Sequence, residues 1–144
     1  LVKNKISVMA HIGLQPQKIK NPKNYRVKGK LKNEEIKIIN DYKAIEKSGA
    51  FSVVIETVTE KLANYICGIS KIPVIGIGAS NKCDGQILVT EDLLGFFNKT
   101  PRFVKKYENL RKKIKEAVKK YRKEVINRKF PSKKNLYNWI KTYF

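Results

Sequence analysis

Apolar residues in this chain gather into short β-branched runs separated by stretches of helical periodicity. The first run, Ile6–Ala10, ends at His11-Ile12-Gly13. Residues 13–31 contain the breakers Pro16, Pro22 and Gly29 and read as loop. Over Glu34–Lys47 the residues Ile36, Ile39, Tyr42 and Ile45 share one helical face, and Gly49 supplies a C-terminal stop. Phe51–Ile55 is a continuous apolar run that ends in Glu56. Thr57-Val58-Thr59-Glu60 matches a capping box, and Leu62, Ala63, Ile66 and Cys67 give the helix after it a stripe to bury. Ile72–Ile77 and Gln86–Val89 are two further strand-like runs, with Pro73 near the start of the first. Beyond residue 99 one long helix is predicted, since Val104, Tyr107, Leu110, Ile114, Ala117, Val118, Tyr121 and Val125 recur at three- and four-residue steps.

Strand, helix and strand, with runs apolar enough to be buried on both faces, predict an α/β fold: a parallel sheet covered by helices. The link from Ile77 to Gln86 is short for a helical crossover, so spacing alone leaves a hairpin equally open there. The strand ends are where the chemistry would lie. Each run finishes in polar residues or glycine: Ala10-His11, Ile55-Glu56, Ile77-Gly78 and Val89-Thr90-Glu91-Asp92. Parallel α/β folds bind ligands at the carboxyl ends of their strands, which makes His11 and Glu56 candidates for one pocket. The plainer reading of each is a cap or a hydrogen-bond partner. Gly76-Ile77-Gly78 lacks the third glycine of a dinucleotide loop at the required step.

With 144 residues, 42% of them hydrophobic, the chain is the size of one ordinary domain with a real core. Cys67 and Cys83 have no CxxC spacing and read as reduced structural thiols, which fits a cytoplasmic protein. No apolar run approaches a membrane span and no leader opens the chain, so no membrane partner is expected. Because Leu1-Val2-Lys3 leads almost at once into an apolar run, the chain is expected to begin inside a fold. The net charge of +20 is uneven: residues 99–144 hold 17 Lys/Arg against 3 acids. Lys112, Lys113, Lys115, Lys119, Lys120 and Lys123 line the polar face of the long helix. That face is either a solvated surface or a stripe for nucleic acid or another polyanion, and no zinc spacing or basic-aromatic module accompanies it. Residues 1–98 are therefore read as the sheet-and-helix body, and residues 99–144 as a basic amphipathic helix and tail of the same domain.

Several blocks then occur in a familiar order. "VMAHIGLQPQ" (8–17), "NYRVKGK" (24–30), "GAFSVVIETV" (49–58) and "IPVIGIGASNKCDGQILVTEDLLGFF" (72–97) resemble successive blocks of the ketopantoate hydroxymethyltransferase family, and "PRFVKKY" (101–107) and "FP" (130–131) continue the match. The resemblance implies a β/α (TIM) barrel of eight strands. This chain would be its C-terminal half, with about four parallel strands, and the Ile77–Gln86 link would join the last two. It further implies transfer of a hydroxymethyl group from 5,10-methylenetetrahydrofolate to the keto acid α-ketoisovalerate, giving ketopantoate for pantothenate synthesis, with Mg2+ holding the keto acid. Glu56 matches the family's proton acceptor, and His11 matches a histidine that lines the substrate pocket. The metal ligands belong to the N-terminal half, so no metal site is expected in this chain, and the fragment is expected to be inactive alone. A complementary N-terminal half-barrel and a family-like homo-oligomer are the partners implied. Departures from the family pattern include Ala10 and Ser80 at glycine positions, Lys23-Asn24 for a Gly-Gly pair, Lys28 for a glutamine, Glu91 for a histidine, and "KKNLY" (133–137) in the tail. The competing function is a basic binding module on a decayed barrel scaffold, holding nucleic acid through residues 99–144.

Overall fold

The structure is a computed structural model that describes residues 1–21 and 25–137. Pro22, Lys23, Asn24 and the tail from residue 138 onward lie outside the described residues. Two compact units are present, one formed by Leu1–Val89 with Pro101–Val104, the other by Thr90–Thr100 with the residues from Lys105 onward.

The first unit is built on a four-stranded parallel sheet: β1 (Met9–Gly13), β2 (Ser52–Glu56), β3 (Val74–Ile77) and β4 (Gly85–Gln86), side by side in chain order. β3 and β4 run parallel, with Ile75 opposite Gly85 and Gly76 opposite Gln86, so the hairpin is excluded. Two helices connect the first three strands, α1 (Lys32–Lys47) and α2 (Glu60–Ile69). Their apolar faces meet one side of the sheet. Ile38 and Tyr42 from α1 and Leu62, Ala63 and Ile66 from α2 close over Ile12, Val53, Ile55 and Val74. β2 lies at the centre, and Val53 and Ile55 are fully buried. Tyr42 carries its hydroxyl into this layer, donates to the Glu46 carboxylate and lies 2.7 Å from Ser70 Oγ, which ties the end of α1 to the end of α2.

Several element boundaries differ from the sequence pattern. β1 begins three residues later than the apolar run and contains His11 instead of ending before it. The early part of that run, Ile6, is exposed because the chain there has not yet reached β2; the first backbone bond to the neighbouring strand runs from Phe51 N to Val8 O. β4 has two residues where four were expected, and Ile87 and Val89 are exposed. Ile87 N still donates to Gly76 O at 3.0 Å, and just after β3 Gly78 turns the chain away with φ +58. The capping box at Thr57–Glu60 does not form. Thr57 is itself held at φ +48, so the N-cap falls at Thr59, whose hydroxyl reaches Gly29 O at 3.4 Å.

In the second unit, α3 (Thr90–Leu93) is a single turn and α4 (Leu110–Ile126) is the long basic helix. α4 starts later than the periodicity predicted: Asn109 caps it, accepting from Lys112 N at 3.1 Å, and Val104 and Tyr107 precede it. Gly95 allows the chain to pass directly over the Glu108 carbonyl, where a Cβ would come within 2.1 Å of the oxygen. The apolar stripe of α4 is exposed, including Ile114, Val118, Tyr121 and Val125. Among the described residues no helix is long and apolar enough to cross a membrane.

Candidate active site

Alternation along a strand sends neighbouring side chains to opposite faces. Ile12, Val53 and Ile55 point to the helices, so His11, Val54 and Glu56 share the other face. In the register His11 stands opposite Val54 and Gly13 opposite Glu56, which makes His11 and Glu56 diagonal neighbours on that face. Their side chains meet: His11 Nε2 lies 3.1 Å from Glu56 Oε2. The approach is too oblique for a directed hydrogen bond, and Nε2 has no other partner among the described residues. The Glu56 side chain is 12% exposed and the His11 side chain 30%. Burial raises the Glu56 carboxyl above its ordinary value, and the nearby imidazole opposes that rise without cancelling it.

The backbone around this pair is tightly determined. β1 ends by turning across the carbonyl of Glu56, which accepts from Leu14 N at 2.8 Å. Gly13 makes that turn with φ +87, and a Cβ there would sit 2.3 Å from the Glu56 oxygen. Glutamine at position 15 fastens the same turn, donating from Nε2 to His11 O at 2.9 Å. Thr57 is the least expected feature. A β-branched residue at positive φ is strained, and such a state persists where neighbours over-determine it. Thr57 N donates to Ile77 O and its carbonyl accepts from Lys28 N, each at 2.9 Å, so β3 and the loop before α1 grip it from two sides. Its hydroxyl is buried without a hydrogen-bond partner among the described residues. Nothing in the local sequence signals this conformation, since both grips come from distant segments.

The sequence thus located Glu56 and His11, and the fold brings them together. It did not reveal Gly13, Gln15, Lys28 or Thr57 as their supports. Ser80, where the family resemblance has glycine, is buried and donates to Asn64 Oδ1 on α2, which pins the loop after β3. A cavity of about 240 Å³ lies on the α1 side of the sheet, lined by Gly13, Gln15, Lys28, Glu34, Lys37 and Asp41 among others. It includes neither His11 nor Glu56. Among the described residues no group of three or more His, Cys, Asp or Glu side chains comes together to hold a metal ion.

A carboxylate raised by burial, beside an imidazole and at the carboxyl ends of parallel strands, is equipped to take a proton from a weak carbon acid. Comparison with known proteins places the chain in a family. The family model described as ketopantoate hydroxymethyltransferase matches residues 1–133. A 3-methyl-2-oxobutanoate hydroxymethyltransferase from Pelagibacter ubique is 48% identical over 95% of this chain and 52% of its own length. Relatives with the same name from Rhizobium etli and Sulfurimonas denitrificans are 50% and 51% identical, over 92% and 91% of this chain and 49% and 50% of their own. The chain therefore spans about half the length of the curated relatives it matches. The family match runs through α4, so the basic helix is part of the family unit, and the separate polyanion-binding module finds no support.

Proposed function

This chain belongs to the ketopantoate hydroxymethyltransferase family, and from that premise we propose that it contributes the proton-accepting half of a hydroxymethyltransferase site. The keto acid is α-ketoisovalerate and the one-carbon donor 5,10-methylenetetrahydrofolate. Glu56 takes the proton from the carbon beside the ketone, the C–H electron pair passes into an enolate, and that carbon bonds to the donor's methylene carbon. The two C–N bonds of that methylene are replaced by this C–C bond and by a C–OH bond from water, and tetrahydrofolate leaves with the substrate proton and one proton of water on its nitrogens. His11 lines the keto-acid pocket and steadies the Glu56 carboxylate. The observation that carries this reading is the 3.1 Å approach of His11 Nε2 to Glu56 Oε2 on the face opposite α1 and α2.

A carbon acid beside a ketone is weak, and Mg2+ on the keto oxygen would stabilise the enolate by several kcal/mol. Among the described residues no three His, Cys, Asp or Glu side chains gather into one cluster. The ligands of the ion, and the strands that complete the barrel, are proposed to come from a complementary N-terminal half-barrel segment. The free thiols Cys67 and Cys83 support a reducing, cytoplasmic setting.

The test is to assemble this chain with the N-terminal half of the Pelagibacter ubique relative and follow ketopantoate formation with magnesium present. The assembled pair is expected to turn over, and this chain alone is not. Glu56→Gln is expected to lower kcat by at least about 100-fold with keto-acid binding retained. Unchanged kcat in Glu56→Gln, or no turnover from a complex shown by sedimentation to have formed, would overturn the proposal.

A further inference from the structure

Cys67 and Cys83 were expected to be separate structural thiols, yet the fold places them side by side. Cys67 is on α2 and Cys83 is in the loop between β3 and β4, and their sulfurs are 3.6 Å apart, with the Cys67 S–H donating. We propose that these two residues form a disulfide modification site, a clasp that closes when the protein meets a small-molecule disulfide and that ties α2 to the loop between β3 and β4.

Three observations carry this. The sulfurs are already in contact at 3.6 Å, against a bond length of about 2.05 Å. The pair is also pre-ordered on both sides. Ser80 holds the loop to Asn64 of α2, one turn before Cys67, while Asp84 Oδ2 accepts from Val74 N at 2.8 Å. Over the strand, Cys83 Sγ sits so close to Gly76 that a Cβ there would be 2.9 Å away. Finally, the two thiols differ in access: Cys67 is half-buried and Cys83 is buried. That difference sets an order of events. Cys67 thiolate attacks the disulfide reagent and expels one thiol, leaving a mixed disulfide. Cys83 thiolate then attacks the Cys67 sulfur and expels the second thiol. Two protein thiols are oxidised by two electrons and one reagent disulfide is reduced to two thiols.

Glu56 and Ile77 stand opposite each other in the sheet, and α2 and this loop follow directly from those two strand ends. The clasp would therefore stiffen the frame behind the site, although its formation does not depend on the catalytic proposal. Burial and the neighbouring Cys83 push the Cys67 thiol up to about 12, so closure is expected to be slow at neutral pH. Its rate should climb about tenfold per pH unit as the thiolate fraction grows.

The experiment equilibrates the native protein, and the same protein in denaturing urea, with oxidised and reduced glutathione. Intact mass and peptide mapping then identify the products. Expected is an intramolecular Cys67–Cys83 bond whose equilibrium constant is at least about tenfold larger in the native protein than in urea, because the fold holds the sulfurs together. Cys83→Ser is expected to stop at a mixed disulfide on Cys67, and Cys67→Ser to leave Cys83 unmodified. The proposal is overturned if the native wild type keeps both thiols, stops at a glutathione adduct, links between chains, or closes no more readily than the denatured chain.

Discussion

At Glu56, burial and a neighbouring imidazole pull the carboxyl in opposite directions, and burial prevails. The folded state therefore favours the protonated form, and ionisation works against folding. Below the ordinary value of 4.5 the carboxyl is protonated whether the chain is folded or not, and the penalty is absent. As pH rises from 4.5 through the raised folded value the unfolded chain releases its proton first, so stability falls, and the full penalty stands above that folded value. Glu56→Gln removes the charge and keeps the shape. The variant is expected to resist urea better than wild type at pH 8, with the advantage shrinking towards pH 4. A variant less stable than wild type at pH 8 would mean that the contact with His11 outweighs desolvation. The place of Glu56 at the end of β2 was legible in the sequence because a carboxylate ends an apolar run. The conformation of Thr57 was not, because its positive φ is imposed by Ile77 and Lys28 from elsewhere in the chain.

α2 and α4 show how the same pattern can have two outcomes at the level of the element. Both are amphipathic helices in the sequence. In α2 the stripe is buried against the sheet, with Ile66 at 0% exposure, whereas in α4 Val118 is 59% exposed. Ile66→Ala should accordingly cost about 3 kcal/mol, through lost burial and a cavity. Val118→Ala should change stability by less than about 0.5 kcal/mol, since alanine also favours helix and no buried contact is lost. Urea titration of the two variants checks both. A cost above about 2 kcal/mol for Val118→Ala would show that something covers the α4 stripe in solution. Periodicity identifies a face that is able to be buried. Whether it is buried depends on a partner surface, which periodicity does not encode.

For the molecule as a whole, β1 and β4 each have one neighbour in the described sheet, and strand edges without a partner are sites of association. β4 is too short to offer much of an edge. β1 is longer, with Met9 half-exposed and no proline or lysine along it. The net charge of +20 opposes clumping but covers no backbone group. This chain by itself is therefore expected to self-associate or to melt without cooperativity, and to become a compact, cooperative species with a complementary half-barrel. Sedimentation at low micromolar concentration and thermal unfolding distinguish the cases. A cooperatively melting monomer of this chain alone would show that the edge is adequately protected.

The sequence by itself determined the α/β class, the three main strands and the helices around them, because β-branched runs and helical stripes are local statements about which residues must leave water. It also located His11 and Glu56, since polar groups at the ends of such runs are conspicuous. The short extent of β4, the meeting of His11 with Glu56, the left-handed Thr57 and the contact of Cys67 with Cys83 were decided by tertiary structure alone. Each depends on the register between segments distant in the chain, and register follows from how whole faces pack together, a property that no single segment carries.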